Sequence, residues 1–432
     1  MAPNNNTSLH IPVELTDMII DFLHDDVQSL LACAVVSHSW LPSSRLHLFR
    51  SCTIKDPSQF EVAFRTIVTT QDVSIHILEL TIVGERIHCF TLKILKALLG
   101  DLPQLRRLSL QKVQFQASWP TGRRFAQRFK YDIGEGIPTY AMLELEVPQW
   151  PQRIKPFELE ELQLLECDAT MANYTHLFRI LGLFSSIQTL FLASSSTARD
   201  SYSHSARRIP DWALDPVRVA VQHLHTFDIP FPIIETLLKT LGPANALRTF
   251  WYDDNVLDWT GAGGPSTNVQ GFGRMAASLP AHQQLRTLVL GPLPIFQADL
   301  RGNLRDGLGD MQLASMRGLE TFHLRGHRLE PHLASVFAAL PESVREARFV
   351  VVGVSRAHGE GFWNRFYDFA QAFACELARR RRMTFVLDLG VVKQKLSGEK
   401  FAALRMAAAI GLRSLRSGAP GRVRIGDSPE AS

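Results

Sequence analysis

The sequence has little cysteine and no long hydrophobic run. Its 432 residues include five cysteines: Cys33, Cys52, Cys89, Cys167 and Cys375. Their number is odd, they are scattered, and no Cys-x-x-Cys occurs. That argues against a disulfide framework and against a structural zinc site. A reducing compartment, cytoplasmic or nuclear, fits such usage. No stretch approaches the roughly 18 apolar residues of a membrane span. The opening Met-Ala-Pro-Asn lacks the basic start and apolar core of a signal peptide, so no membrane partner is expected. The net charge of +4 is too small to imply nucleic-acid binding by itself.

Catalytic signatures are missing as well. There is no His-Glu-x-x-His, Gly-x-Ser-x-Gly, phosphate-binding loop or Gly-x-Gly-x-x-Gly. Gly261-Ala-Gly263-Gly264 has no Lys-Ser/Thr after it and opens no helix, so it reads as a flexible loop. His323 and His327 are four apart but follow a strand-like phrase. The sequence therefore leads us to expect no catalytic residue, no cofactor and no metal, and a protein that is not an enzyme.

What is present is a globular composition, with 46% apolar and 20% charged residues. The length calls for two or three domains or a repeat array. Residues 1–8 are polar and read as a loose tail. Residues 9–52 read as a compact helical module. Pro12 suits a first helical turn, and Leu15, Ile19, Phe22 and Leu23 recur at helical spacing, alongside Met18. Asp26 can cap a second helix, whose stripe is Leu30, Leu31, Ala34 and Val35. A third short segment covers Arg45–Phe49. Three short helices bury little surface alone, so such a module leans on a partner or on the next domain.

Across residues 53–355 one phrase recurs, with apolar residues at its first, fourth and sixth positions. Its copies begin at Ile75, Leu105, Leu159, Ile187, Leu224, Leu247, Leu285, Leu319 and Val344, at intervals of 23 to 54 residues. Leu159-Glu-Glu-Leu162-Gln-Leu164-Leu-Glu-Cys167 fills the leucine-rich-repeat strand template. Helical patterns lie between copies, as in Phe90–Leu99, Ile233–Leu241 and Leu333–Leu340. The expectation is an α/β fold: an irregular leucine-rich-repeat solenoid, with parallel strands on its concave face and helices outside. Insertions fall near 114–156 and 260–274. Residues 356–417 read as a helical and strand cap, ending in a buried strand at Thr384–Leu389 and a helix at Phe401–Leu415. Residues 418–432 read as a polar tail.

The N-terminal module resembles an F-box. The residues that carry the likeness are Ile11-Pro12-Val13-Glu14-Leu15, Ile19-Ile20-Asp21-Phe22-Leu23, Asp26-Val27, Val36-Ser37-His38-Ser39-Trp40 and Leu48-Phe49-Arg50. The whole chain is similar to fungal F-box proteins with degenerate leucine-rich repeats behind the box. The resemblance implies a non-catalytic substrate adaptor of an SCF-type ubiquitin ligase. It would dock on the Skp-type linker, and through it on a cullin-RING ligase, and hold an unknown protein substrate on its repeats. It places the linker contact on Pro12, Val13, Glu14, Leu15, Ile19, Leu30, Leu31, Val35, Val36 and Trp40.

Substrate contact is expected on the outward strand positions, above all Gln163, Phe191, Asp228, Trp251 and His323. Thr189, Thr226, Thr249, Thr287 and Thr321 form a row best explained by β propensity. Two other readings stand beside this one. The first is a leucine-rich-repeat scaffold whose F-box is vestigial; the second is a hydrolase or transferase, for which no motif exists. Positive charge gathers at the C-terminus: residues 379–432 hold 12 Lys/Arg and 4 Asp/Glu. The run Arg379–Arg382 reads as a solvated helix end or, more sharply, as a nuclear import signal.

Overall fold

The structure is a computed structural model. It describes residues 12–55, 59–60, 62–63, 66–67, 70–84, 90–116, 156–167, 174–194, 219–241, 246–253, 275, 277–291, 313–326, 333–352 and 360–426. Nearly all of the two insertions, with the Gly261–Gly264 loop, lies outside these residues, as do His327 and both terminal tails at 1–8 and 427–432.

Helices α1 (Val13–Phe22), α2 (Val27–Val36) and α3 (Leu41–Arg50) form the module. Each start has a local cause. The Pro12 carbonyl accepts the Leu15 and Thr16 N–H groups, each at 3.1 Å, from a residue that lacks a donor of its own. Asp26 Oδ1 accepts the Gln28 and Ser29 N–H groups at 3.1 Å, the N-cap expected of it. Pro42 occupies the first turn of α3. Polar contacts tie α1 to α3: Ser43 Oγ donates to Asp17 Oδ1, and His47 Nε2 lies 2.8 Å from Asp21 Oδ1.

Behind the module the fold is α/β, with a twelve-stranded open sheet in the order β1-β2-β4-β6-β7-β8-β9-β10-β11-β12-β13-β14. The strands are β1 (Ser51–Ile54), β2 (Glu79–Val83), β4 (Arg107–Gln111), β6 (Phe157–Leu165), β7 (Phe184–Ala193), β8 (Ala220–Phe227) and β9 (Thr249–Asp253). The series continues with β10 (Thr287–Leu290), β11 (Thr321–Gly326), β12 (Glu346–Val351), β13 (Thr384–Asp388) and β14 (Val423–Gly426). Every pairing described is parallel. A separate two-stranded pair joins β3 (Phe90–Thr91) to β5 (Phe115–Gln116). The chain divides into two compact units, residues 1–163 and 164–432, with the division inside β6.

The first unit also holds α4 (Gln71–Ser74) and α5 (Leu92–Asp101). The second holds α6 (Tyr174–Leu181), α7 (Phe231–Leu241), α8 (Leu333–Ala338), α9 (Glu360–Arg379), α10 (Gly390–Lys393), α11 (Gly398–Gly411) and α12 (Arg413–Gly418). Crossover helices of this kind are what parallel neighbours require.

Strand alternation sends one set of side chains toward the helices. Leu190, Leu224, Phe250, Leu288, Phe322, Ala347 and Phe385 stand on one rung of the second unit, all buried. Phe337 of α8 meets Phe322 and Phe385 of the sheet, and Phe369 and Phe373 of α9, with ring centroids 5.5–5.8 Å apart. Burying rings of this size dominates core energetics.

Seven of the nine repeat phrases sit in the expected register, and two do not. In β2 the apolar rung is Leu80, opposite Leu108, so the true phrase is Ile77-Leu-Glu-Leu80-Thr-Ile82, two residues later than expected. Ile75 is exposed instead of buried. In β8 Leu224 pairs with Leu190 and Phe250, three residues out of the expected register. The cause is Thr226. It fills a core position, fully buried, and its hydroxyl donates to the Trp251 carbonyl at 3.1 Å, which removes the cost of burying it. Phe227 then faces the opposite side. A shift by an odd number of residues turns every side chain over.

The C-terminal boundaries also need correction. The tail expected from residue 418 begins later, because β14 occupies Val423–Gly426 and pairs with β13. The strand at 384–388 is therefore not the last. The 356–417 cap is an extension of the same sheet. The single helix expected at Phe401–Leu415 is two, α11 and α12. At the N-terminal side, β1 begins directly at the end of α3 and pairs with β2, although Ser51-Cys-Thr-Ile54 carries no copy of the repeated phrase.

Gly291 follows β10 and lies beside Asp253. A Cβ there would stand 2.5 Å from the Asp253 Cα and 2.6 Å from Oδ1, and the backbone contact cannot move away cheaply. Gly291→Ala is expected to cost about 1–3 kcal/mol, read as a lower urea midpoint with an unchanged slope.

Candidate functional site

The module exposes most of its apolar residues. Its core is small: Ile20, Leu30 and Cys33, with buried Thr16 and Ser44. Val13, Leu15, Met18, Ile19 and Phe22 of α1 are exposed, as are Val27, Leu31, Val35 and Val36 of α2. Phe22 is 82% exposed and Val35 84%. The stripe Leu15–Ile19–Phe22, which helical spacing marks as apolar, therefore faces out. Nine exposed large apolar side chains on two consecutive helices are unusual on a protein that works alone.

The expected linker residues divide on this surface. Pro12, Val13, Glu14, Leu15, Ile19, Leu31, Val35 and Val36 are exposed. Trp40 is half-buried and caps α3, its carbonyl accepting the Ser44 N–H at 3.0 Å. Leu30 belongs to the core, at 1% exposure, and offers no surface. Met18, Phe22 and Val27 share the exposed surface without having been assigned to it. The helical spacing of Met18 and Phe22 was visible, but spacing alone does not distinguish a face that meets a core from one that meets a partner.

A second candidate lies on the sheet face turned away from the crossover helices, in the second unit. Its central row runs Phe191, His225, Trp251, Val289, His323, Arg348 by strand register. Phe191 and His225 lie 4.5 Å apart by ring centroid, and His225 stacks on Trp251 at 5.5 Å. The Arg325 guanidinium sits 5.4 Å from the Trp251 ring centroid, a cation–π contact. Phe191, Trp251 and His323 thus stand where the repeat template puts them. Gln163 also stands on its strand's polar face, in the first unit, and accepts the Ser109 hydroxyl at 3.1 Å.

Asp228 does not belong to this row. The β8 register puts His225 there and leaves Asp228 just beyond the strand. It has a left-handed backbone (φ 57°), and its N–H donates to the Asp253 carbonyl at 2.9 Å. Asp tolerates that conformation better than most residues. The threonine row loses Thr226 for the same reason; His223 takes its place and lies 3.0 Å from Thr249 Oγ1 through Nδ1.

The row is flanked by two buried carboxylates. Asp253, 2% exposed, pairs with Arg325 across β10, the strand that ends beside Gly291. Asp388, 1% exposed, accepts Arg348 Nη1 at 2.9 Å and the Gly390 N–H at 2.8 Å. Glu346 links His323, at 3.3 Å, to Arg348, at 3.0 Å. The His323 hydrogen bond, together with the Arg348 charge, outweighs desolvation and draws the Glu346 carboxyl down to about 2. These charges neutralise one another in pairs. Among the described residues no group of three or more His, Cys, Asp or Glu is placed to hold a metal ion, and no helix is long and apolar enough to cross a membrane.

Burial, reinforced by the neighbouring His223, holds the His225 imidazole neutral, its pKa lowered to about 4. The folded value lies below the unfolded value of about 6.5, so the unfolded chain takes up a proton first as pH falls. Stability from this site is therefore complete above roughly pH 6.5 and declines toward pH 4. His225→Phe is expected to gain about 2 kcal/mol relative to wild type near pH 5 and to show no such pH-linked gain at pH 8. Urea midpoints of both proteins at the two pH values would check this. Equal differences at the two would contradict it.

In comparison with known proteins, the chain matches no family model and no curated protein.

Proposed function

We propose that this chain is a substrate-recognition adaptor of an SCF-type ubiquitin ligase. The helical module binds the Skp-type linker, and through it a cullin-RING ligase; the repeat strands hold a protein substrate. The observation that supports this reading most is the exposed apolar surface of α1 and α2, on the segment that carries the F-box-like residues. Helix faces of this kind bury themselves in a partner's groove. Phe191, Trp251 and His323, half-buried on the sheet face turned away from the crossover helices of the second unit, are the substrate contacts the reading favours. In this reading the bond-forming chemistry belongs to other subunits. Co-expression of the full chain with a Skp-type linker and a cullin N-terminal domain tests it. Elution of the three as one species by size exclusion is expected. A folded chain that elutes apart from both leaves the repeat scaffold with a vestigial box.

A further inference from the structure

A second surface goes beyond that reading and does not depend on linker recruitment. In the second unit, the residues that open consecutive strands form a ladder of main-chain hydrogen bonds. Arg286 N–H donates to the Arg248 carbonyl, Glu320 N–H to Arg286 and Arg345 N–H to Glu320, each at 2.8 Å. Successive side chains on this ladder are therefore one strand spacing apart, about 4.8 Å. Arg248, Arg286 and Arg345 are exposed. Only Glu320 interrupts them, half-buried and paired with Arg286 at 3.3 Å.

The C-terminal end of α9 adds to the same edge. Arg380 is anchored there. Its guanidinium donates to the Ala338 carbonyl at 2.6 Å and the Pro341 carbonyl at 3.2 Å, just before β12, and to Glu376 at 2.9 Å. Arg422, at the start of β14, donates to the Leu377 and Arg380 carbonyls at 3.0 and 2.5 Å. These bonds fix the helix end against the strand starts and leave Arg379, Arg381 and Arg382 exposed beside them. The four-Arg run is thus one structural residue, Arg380, one exposed residue paired with Glu376 at 3.8 Å, Arg379, and two exposed residues, Arg381 and Arg382. Local compensation is thin: between 379 and 426 there are 12 Lys/Arg against two acids, Asp388, which is buried on Arg348, and Glu399.

We infer that this edge binds an acidic polypeptide segment, a run of Asp and Glu side chains on a partner protein. The cations are arginines, whose planar forks match carboxylates in pairs. From Gln222, whose carbonyl accepts the Arg248 N–H at 2.7 Å, to Arg345 the ladder carries no aromatic side chain on which a nucleobase could stack, and no apolar one to enter a lipid surface. Charge complementarity therefore favours carboxylates.

The test is fluorescence anisotropy of the full chain with a labelled oligoglutamate peptide. An oligolysine peptide, a single-stranded RNA and phosphatidylserine vesicles serve as comparisons. Oligoglutamate is expected to bind at low salt and to weaken steeply as salt rises. Arg248→Glu/Arg286→Glu and Arg381→Glu/Arg382→Glu are each expected to weaken it about tenfold or more. Arg380 stays intact because it is structural. If a double variant melts early, the corresponding Arg→Gln pair replaces it. No oligoglutamate binding at low salt, equal binding by the folded variants, or tighter binding of RNA or vesicles overturns the proposal. Linker co-elution of the same variants reads the adaptor proposal separately.

Discussion

Replacing Phe22 and Val35 together by Asp should abolish co-elution with the Skp-type linker, lowering affinity by about a hundredfold or more, while the folded chain melts within a few degrees of wild type. The two halves of this result have different causes. Both side chains are more than four-fifths exposed, so they contribute almost nothing to the module's own core. Surface substitutions of that kind change stability by about 0.5 kcal/mol or less. In a complex the same positions would be desolvated. An aspartate buried there without a partner costs several kcal/mol, and two such losses exceed the roughly 2.8 kcal/mol that corresponds to a hundredfold. Leu30→Asp is the contrasting control. It places a charge in the core of the module and should unfold it. Unchanged co-elution of a folded Phe22→Asp/Val35→Asp protein would move the docking surface elsewhere.

The largest effect on stability is expected at Arg325. Asp253 is almost wholly buried, and its carboxylate faces Arg325 across β10. Arg325→Leu would leave that carboxylate charged and unpaired in a site that excludes water. Removing one partner of a buried pair costs about 3–5 kcal/mol. Arg325→Leu/Asp253→Asn removes the stranded charge as well and should recover more than half of the loss. The recovery separates a charge effect from lost packing. Arg325 also lies on the Trp251 ring, so the single variant should change the tryptophan emission of the folded protein. Thermal melts of the three proteins at pH 7 give the ordering. A double variant no better than the single would show that Arg325 acts through packing alone.

Much of the second unit was legible in the sequence. The rung residues Leu190, Phe250, Leu288, Phe322 and Ala347 recur at the same place in each phrase because a strand with one face on a core repeats its apolar residues every second position. In β8 the expected register fails because a polar residue takes a core position. Thr226 is buried with its hydroxyl satisfied, and no count of apolar residues anticipates that. The slip moved the expected contact from His225 to Asp228. Partners distant in sequence were hidden for another reason. Asp253 and Arg325 lie on strands separated by β10, and only the ladder brings them together.

The helical module poses the reverse problem. Its helices and its Asp26 cap were readable from spacing and chemistry, yet the direction of the apolar stripe was not. Leu30 and Leu31 are neighbours in sequence, one core and one surface. The pattern of a helix that packs on its own fold and that of a helix awaiting a partner are the same pattern. Exposure in the folded chain separates them.

Hydrogen–deuterium exchange of the full chain, alone and with the Skp-type linker, tests the central claim most directly. Protection confined to residues 13–36, with the β7–β12 ladder unchanged, is the result this account predicts. Exchange unaltered in α1 and α2 under saturating linker, in a chain whose core amides remain protected, would contradict it.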